Sequence, residues 1–372
     1  MQAMRRAGVI AWVAAATVWS ANAGCEKSGS KQTPAPTPTA KDARVIVQDA
    51  GPQDARVVAL DARDDGPEPT VPPPPPTVKA NGKGDCKVDY APRPTRDPNP
   101  VCKITGGTFM MGSADPKAAA NEKPVRKVTL TPYFIDQFEV TNAQVAHFLN
   151  AVGNRCEGER GDMCFLTSPL VVGQFIVHPG FVRSINDRYE ATSGHEREPV
   201  NNATVPGAER YCAWVGKRLP TEAEWEFAAR HDPKTQKDYE WPWGDKFYPK
   251  RAECDEGVCK DGFNEHVDED MFNSQAPVGT FDGTHGFGDG SSPWGVHDMA
   301  GNVSEIMADS IDLNAEGYPD CGACIDPIAL PTTNTAPHVS RDLINTRASG
   351  WSTDSPRRSP IGAQDGFRCV YR

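Results

Sequence analysis

The run from Tyr211 to Arg230 constrains the fold of this chain more than any other segment. Ala208, Tyr211, Cys212 and Val215 lie at the i, i+3, i+4 and i+7 spacing of one helix face. Gly216 follows at the position where glycine commonly ends a helix. The pattern predicts a helix that stops before the second half of the run.

The second half of the run predicts another helix after a short break. Thr221 and Glu224 have the spacing of a capping box, and Pro220 precedes them. We expect this helix to continue to about Arg230. Such helical signals are few in the chain, because Gly and Pro residues are scattered through it.

The other regular elements are predicted to be short. Thr141 can cap a helix over Asn142–Val152, whose apolar residues again repeat at helical spacing. The clearest strand candidates are Thr105–Met111, Val125–Leu130 and Tyr133–Phe138. We therefore expect one α+β domain, rich in irregular structure, over residues 86–372, which is long enough to bury a core.

The N-terminus has the features of an export signal. Arg5 and Arg6 precede an apolar run, Gly8 to Trp19, that is too short to span a bilayer as a stable helix. Ala21-Asn22-Ala23 fits a signal peptidase site, whereas the four residues that end in Cys25 resemble a bacterial lipobox. We predict a signal peptide over residues 1–24 and favour lipid modification of Cys25, with plain secretion as the alternative.

The cysteine count also favours lipid modification. The chain has 11 cysteines, and ten remain to form pairs if Cys25 carries a lipid. Near neighbours suggest disulfides of an oxidising compartment: Cys86 with Cys102, Cys156 with Cys164, Cys254 with Cys259, and Cys321 with Cys324. The alternative for the last two pairs is a zinc site that is built from all four cysteines.

Residues 25–85 are predicted to be a disordered linker. From Glu26 to Asp85 there are 11 prolines and no aromatic residue, so the segment cannot bury enough apolar surface to offset its ordering entropy. Asp42-Ala-Arg-Val45 recurs as Asp54-Ala-Arg-Val57. The formal net charge of −11, without clustered Lys and Arg residues in the domain, argues against nucleic acid as a partner.

Seven motifs between Lys103 and Arg372 occur in the order found in the formylglycine-generating enzyme, or sulfatase-modifying factor, family, which the chain resembles. Besides the run from Tyr211, they are Gly106–Ser113, Phe138–Asn142, Trp241–Gly244, Ala276–Gly279, Trp294–Glu305 and Gly366–Cys369. The resemblance implies a compact, loop-rich variant of the C-type-lectin-like fold. It also implies a disulfide between Cys212 and Cys369.

The positions of the family's catalytic cysteines are different here. In the stretch that begins with Arg347–Trp351, the first cysteine position falls on Thr353 and the second near Arg358. The sequence from Ile325 to Arg368 contains no cysteine. Since soft thiolates are the ligands that Cu(I) requires, we expect neither copper nor copper-dependent oxidation of a substrate cysteine.

The resemblance also implies structural calcium, a cation that takes six to eight oxygen ligands. A first site would combine the carboxylates of Asp298 and Glu305 with the carbonyl oxygens of Gly301 and Val303. A second site would combine the carboxylates of Glu253 and Asp270 with the carbonyl oxygens of Cys254 and Phe272.

Two classes of function are compatible with these patterns. The first is a non-catalytic binding or scaffold protein of the cell envelope, held at the membrane by a lipid and directed at an unknown ligand. The second is a divergent formylglycine-generating enzyme or another metal-dependent oxidoreductase, for which His285 and His297 with Asp298 are candidate ligands. The missing cysteine pair favours the first class.

Overall fold

The computed structural model describes a large part of the domain and one segment that precedes it. The described residues are 45–47, 83–93, 96–114, 116, 123–156, 164–165, 170–172, 175–177, 182–186, 188–201, 203–246, 248, 251, 275–284, 286–310, 324–330, 338–341 and 365–372. All of them belong to one unit, Thr39–Arg372. No helix among these residues is both long and apolar enough to cross a lipid bilayer.

Three helices are present in the described residues, namely α1 (Asn142–Val152), α2 (Val205–Trp214) and α3 (Glu222–Arg230). Thr141 and Thr221 each form a capping box, in which the threonine hydroxyl accepts from a backbone N–H three residues later. All three predicted helices are confirmed. α2 begins before the predicted face because Thr204 caps it and Pro206 occupies its first turn.

The strands of the described residues are short. They are β1 (Val45–Val47), β2 (Cys86–Lys87), β3 (Val101–Ile104), β4 (Gly107–Met111), β5 (Arg126–Leu130), β6 (Tyr133–Asp136), β7 (Leu170–Val172), β8 (Phe175–Val177), β9 (Val182–Ile185), β10 (Arg188–Ala191), β11 (His231–Asp232), β12 (Lys237–Asp238), β13 (Ser304–Ser310), β14 (Pro327–Ala329), β15 (His338–Arg341), β16 (Asp365–Gly366) and β17 (Val370–Tyr371). A 3₁₀ turn spans Val88–Tyr90. The prediction of a loop-rich α+β fold is confirmed.

Two small sheets place the C-terminal residues in the middle of the domain. One sheet has the order β17-β6-β3-β2, and the other has the order β15-β13-β16 with β13 parallel to β16. The three predicted strands correspond to β4, β5 and β6. Because β16 and β17 belong to different sheets, the residues between them, Phe367 to Cys369, pass through the buried interior.

Two apolar clusters form the core. The first lies between α3 and strands β3 to β6, where the rings of Phe109 and Phe227 meet edge to face at 5.2 Å. The second surrounds α1 and α2, where Phe148 contacts Tyr211 and Trp214. α1 and α2 thus bury the faces that their sequence periods predicted, whereas every residue of α3 is buried.

Disulfides tie these elements together. The structure contains Cys86–Cys102, Cys156–Cys164 and Cys212–Cys369. The last joins α2 to the buried C-terminal segment across 157 positions of sequence. Cys324 is also disulfide-bonded. A zinc ligand must be a free thiolate, so this bond contradicts the predicted alternative of a zinc site that includes Cys324.

One strand lies within the segment that the sequence predicted to be a disordered linker. β1 pairs antiparallel with β14 of the domain. For these three residues the prediction needs correction, because Val45-Ile46-Val47 is a run of β-branched residues, which favour strands wherever an edge is available. Lys83 to Asp85, the last residues of the predicted linker, are also described, and Lys83 forms an ion pair with Asp289 at 3.1 Å. The remaining residues of the linker, and the signal peptide with Cys25, lie outside the described part of the chain.

Candidate functional site

The loop that leads into β13 has an unusual backbone. Asp298, Gly301 and Asn302 have positive φ angles of 57°, 81° and 67°. Gly, Asp and Asn are the residue types that adopt this left-handed conformation at the smallest cost. The loop therefore turns tightly just before Glu305, which lies near the start of β13.

Glu305 forms a buried ion pair with Arg368, a residue of the C-terminal segment. The Nη2 atom of Arg368 lies 2.7 Å from Oε1 of Glu305, and its Nε atom lies 2.8 Å from Oε2. Both side chains are almost fully buried. Burial alone would lower the pKa of Arg368, but the charge of Glu305 outweighs burial and raises it, so the guanidinium stays charged.

Asp298 is held in the same region by backbone groups. Its Oδ2 atom accepts a hydrogen bond from the Gly279 N–H at 2.9 Å, and its own carbonyl oxygen accepts from Nη2 of Arg368 at 3.4 Å. Burial raises the pKa of Asp298, although neighbouring His297 and Arg368 oppose this shift. The carboxyl is thus in a place where its charge is costly.

Glu139 is a third carboxylate of this region, and the sequence analysis did not identify it as a site residue. Its Oε2 atom accepts from Nδ2 of Asn302 at 2.8 Å, whereas its buried Oε1 atom has no hydrogen-bond partner. Burial raises the pKa of Glu139 well above its ordinary value, and the charges of Asp298 and Glu305 add to the shift. An acidic residue flanked by the apolar residues Phe138 and Val140 was the signal in the sequence that could have identified it.

Glu139, Asp298, Glu305 and Arg368 are called the Glu139 cluster below. Three carboxylates against one guanidinium give a formal charge of −2. Burial lowers the pKa of the adjacent His297, so the imidazole does not compensate. Excess negative charge in a dry site favours the uptake of a proton or a cation.

The cluster fits a calcium ion in donor chemistry. Arg368 contacts both predicted carboxylate ligands, through the carbonyl oxygen of Asp298 and the carboxylate of Glu305. Gly301 and Val303 of the same loop are buried. No three His, Cys, Asp or Glu side chains within the described ranges are grouped as a metal site would require. Calcium held here would therefore need the loop carbonyl oxygens as well as the carboxylates.

A second buried group of charges contacts the same C-terminal segment at Cys369, the residue that follows Arg368. Lys217 donates to Oδ2 of Asp97 at 2.7 Å and to Oδ1 of Asp136. Oδ2 of Asp136 accepts from the N–H of Cys369 at 2.8 Å. Oδ1 of Asp97 accepts from the Asn99 N–H and from Gln144. Lys217, Asp97 and Asp136 are called the Lys217 cluster below.

Residues 87–371 match the model of a family that is described as the sulfatase-modifying factor enzyme 1-like domain. The chain belongs to the sulfatase-modifying factor family. It is 34% identical over 309 residues to a formylglycine-generating enzyme of Thermomonospora curvata. The alignment covers 74% of this chain and 96% of that protein.

Another relative carries a name that describes it as inactive. The chain is 34% identical over 223 residues to "Inactive C-alpha-formylglycine-generating enzyme 2" of Bos taurus, with 56% of this chain and 70% of that protein covered. Among solved structures, PvdO from Pseudomonas aeruginosa superimposes with a TM-score of 0.53 at 21% identity, covering 77% of this chain and 98% of that one. This last likeness shows the fold alone.

Several predicted site residues of this family member lie outside the described residues. They are Thr353 and Arg358 at the catalytic cysteine positions, His285, Cys25, Glu253, Cys254, Asp270 and Phe272 of the second calcium site, and Cys259 and Cys321. The described partner of the histidine alternative, His297, is fully buried and packs its ring 5.4 Å from that of Phe138. Of the predicted sites, the described residues thus include all four residues proposed for the first calcium site and three of the predicted disulfides.

Proposed function

We propose that this chain is a non-catalytic, exported member of the sulfatase-modifying factor family that acts as a binding or scaffold protein of the cell envelope. The observation that carries the proposal is the absence of cysteine between Ile325 and Arg368, with Thr353 and Arg358 at the two expected positions. A hydroxyl and a guanidinium cannot replace two soft thiolates as ligands of Cu(I). Family members that are inactive by name lend support.

The test is a direct assay for formylglycine. A sulfatase-type cysteine peptide is incubated with the purified chain, copper and oxygen, and the peptide is analysed by mass spectrometry. The enzyme of Thermomonospora curvata serves as the positive control. We expect no aldehyde product from this chain, and clear aldehyde formation would overturn the proposal in favour of a divergent oxidoreductase.

We further propose that the Glu139 cluster holds a structural calcium ion through Asp298, Glu305 and the loop carbonyl oxygens of Gly301 and Val303. Two features support the proposal: the excess charge of the cluster and the unpartnered oxygen of Glu139. A divalent cation would neutralise a formal charge of −2 without a protonated carboxyl. Metal analysis of the purified chain distinguishes this proposal from one with iron or copper.

Export with a lipid on Cys25 is the third part of the proposal. It is supported by the apolar run from Gly8 to Trp19 and by the disulfides, which form in oxidising compartments. A lipid-modified protein partitions into the detergent phase, and Cys25→Ser should abolish that partitioning. Soluble export of the wild-type protein with Gly24 as its first residue would contradict the lipid anchor while leaving export intact.

A further inference from the structure

The edge of β14 is paired with a strand from outside the domain. β1 runs antiparallel to β14, with Ile46 opposite Ile328 at the centre of the pairing. The two strands form a sheet of their own among the described residues. β1 therefore covers an edge that the rest of the described domain does not pair.

The domain holds β14 in place without help from β1. The N–H of Ala329 donates to Oδ1 of Asp309 at 2.9 Å. Just before the strand, the N–H of Asp326 donates to the Thr129 carbonyl of β5 at 2.9 Å. Pro327 and Ala329 are buried. The edge is thus preformed rather than created by the strand that pairs with it.

Ile328 is the residue of β14 through which a pairing strand is recognised. Pro327 has no N–H group, and that of Ala329 is engaged by Asp309. The N–H and C=O groups of Ile328 are left for the opposite residue, which is Ile46. A preformed edge with exposed apolar residues at both ends, Ile325 and Leu330, resembles the edges to which proteins add an extended peptide.

The strand that occupies this edge comes from a repeated motif. Asp42-Ala-Arg-Val45 continues with Ile46-Val47, and the second copy, Asp54-Ala-Arg-Val57, continues with Val58-Ala59. Both copies place aliphatic residues in a segment that is otherwise rich in proline and polar residues. The second copy lies outside the described residues, but its sequence offers a similar short run with two adjacent β-branched residues, Val57 and Val58.

We propose that the edge of β14 is a peptide-acceptor site for this repeat, that the first copy occupies it within the same chain, and that the second copy replaces the first when the first is displaced. The segment before the domain is then docked by main-chain pairing. If the second copy pairs with β14 in place of the first, the paired residues move along the chain by one repeat. The segment between the pairing strand and the domain then becomes shorter, and the segment before the pairing strand becomes longer.

The proposal is tested on the full chain by hydrogen–deuterium exchange of the amide of Ile328. Ile46→Pro and Val58→Pro each remove an N–H and break one copy of the repeat, and a third variant carries both changes. We expect Val58→Pro to leave exchange unchanged, Ile46→Pro to raise it in part, and the double variant to raise it about tenfold or more, as the loss of two hydrogen bonds implies. Unchanged exchange in α3 verifies that each variant is folded.

The outcomes separate the parts of the proposal. If the double variant protects Ile328 as well as the wild type does, the acceptor site is refuted. If Val58→Pro alone exposes the edge, the first copy is not its occupant. If Ile46→Pro already equals the double variant, the second copy does not replace the first.

An added peptide gives an independent measurement. A synthetic peptide of residues 54–60 should restore the protection of Ile328 in the double variant, whereas the same peptide with proline in place of Val58 should not. Failure of the unmodified peptide at millimolar concentration would contradict a peptide-acceptor site. Equal protection by both peptides would show that pairing with Ile328 does not select the repeat.

Discussion

The Lys217 cluster and the Glu139 cluster are both buried, and both contact the segment that ends in Arg368 and Cys369, yet they differ in how their charge is balanced. In the Lys217 cluster, all four carboxylate oxygens of the two aspartates accept hydrogen bonds. In the Glu139 cluster, three carboxylates share one guanidinium, and one buried oxygen of Glu139 accepts none.

This difference separates a structural cluster from a candidate binding site. A buried network whose members are all satisfied makes the fold specific and needs no further partner. A buried carboxylate oxygen without a partner is rare in native proteins and indicates an absent ligand, water or proton. Burial and like charges also perturb the pKa of Glu139, as is typical of functional sites. Of these two clusters, the comparison therefore favours the Glu139 cluster for the proposed cation.

The largest expected effect comes from the disulfide that holds both clusters in place. Replacing Cys212 and Cys369 by alanine opens a loop of 157 positions, which chain entropy values at about 5 kcal/mol of unfolding free energy, as an upper figure. The control replaces Cys156 and Cys164, whose bridge spans 8 positions and for which the same argument gives about 2.5 kcal/mol. Denaturant titration measures both. Equal losses would show that the C-terminal segment is held without this disulfide.

The next largest effect tests whether the Lys217 cluster is complete by itself. Lys217→Met leaves Asp97 and Asp136 buried without their cation, and the loss of one partner of a buried pair costs about 3–5 kcal/mol. Adding Asp97→Asn and Asp136→Asn removes the orphaned charges and should recover much of this loss. Denaturant midpoints of the single and triple variants measure it. A triple variant no more stable than Lys217→Met would contradict the charge argument.

Elements that depend on local sequence were predicted well, and the two clusters were not. The capping boxes at Thr141 and Thr221 and the stop at Gly216 are decided by residues within one turn of one another, so the helices are readable from the sequence. The clusters instead join residues far apart in the chain. Lys217 and Asp97 are separated by 120 positions, and no period or spacing relates them.

The candidate site was predicted in part for the same reason. Asp298 and Glu305 belong to one motif and were predicted together, whereas Glu139 reaches them through a contact with Asn302 across 163 positions. Arg368 was recognised as part of the C-terminal motif but not as the counter-ion of Glu305, because the antiparallel and parallel pairings of β13 decide that contact. The strand β1 was missed because composition described its whole segment as disordered.

Calcium is expected to act on one cluster and not on the other. Because the ion binds the folded state, calcium at 100 times its dissociation constant should raise the unfolding free energy by about 2.7 kcal/mol. Glu139→Gln reduces the charge of its cluster and should remove most of this rise. The matched control, Asp97→Asn, makes the same chemical change in the Lys217 cluster and should retain it. Thermal unfolding with calcium or a chelator is the measurement, and equal responses of the two variants would end the distinction between the clusters.

The effect with the smallest lower bound is a pH dependence of the Lys217 cluster. Burial raises the pKa of Asp136 from its ordinary value of 3.8 to about 7, with Lys217 opposing the shift and Asp97 adding to it. An acid whose pKa is higher in the folded protein takes up protons on folding, so its contribution to the unfolding free energy falls as pH rises between these two values. Asp136→Asn cannot titrate and serves as the reference.

The measured quantity is the unfolding free energy of the wild type minus that of Asp136→Asn, in chelator. This difference should fall by at least about 1.4 kcal/mol, the value of one pKa unit, as the pH rises through the window from 3.8 to about 7. Glu224, whose pKa is lowered to about 2 because Arg218 and other partners outweigh burial, titrates in both proteins and cancels. A constant difference would mean that Asp136 stays ionised beside Lys217 throughout. The two clusters would then still differ in net charge, but burial would not have raised the pKa of Asp136 enough for it to take up a proton on folding.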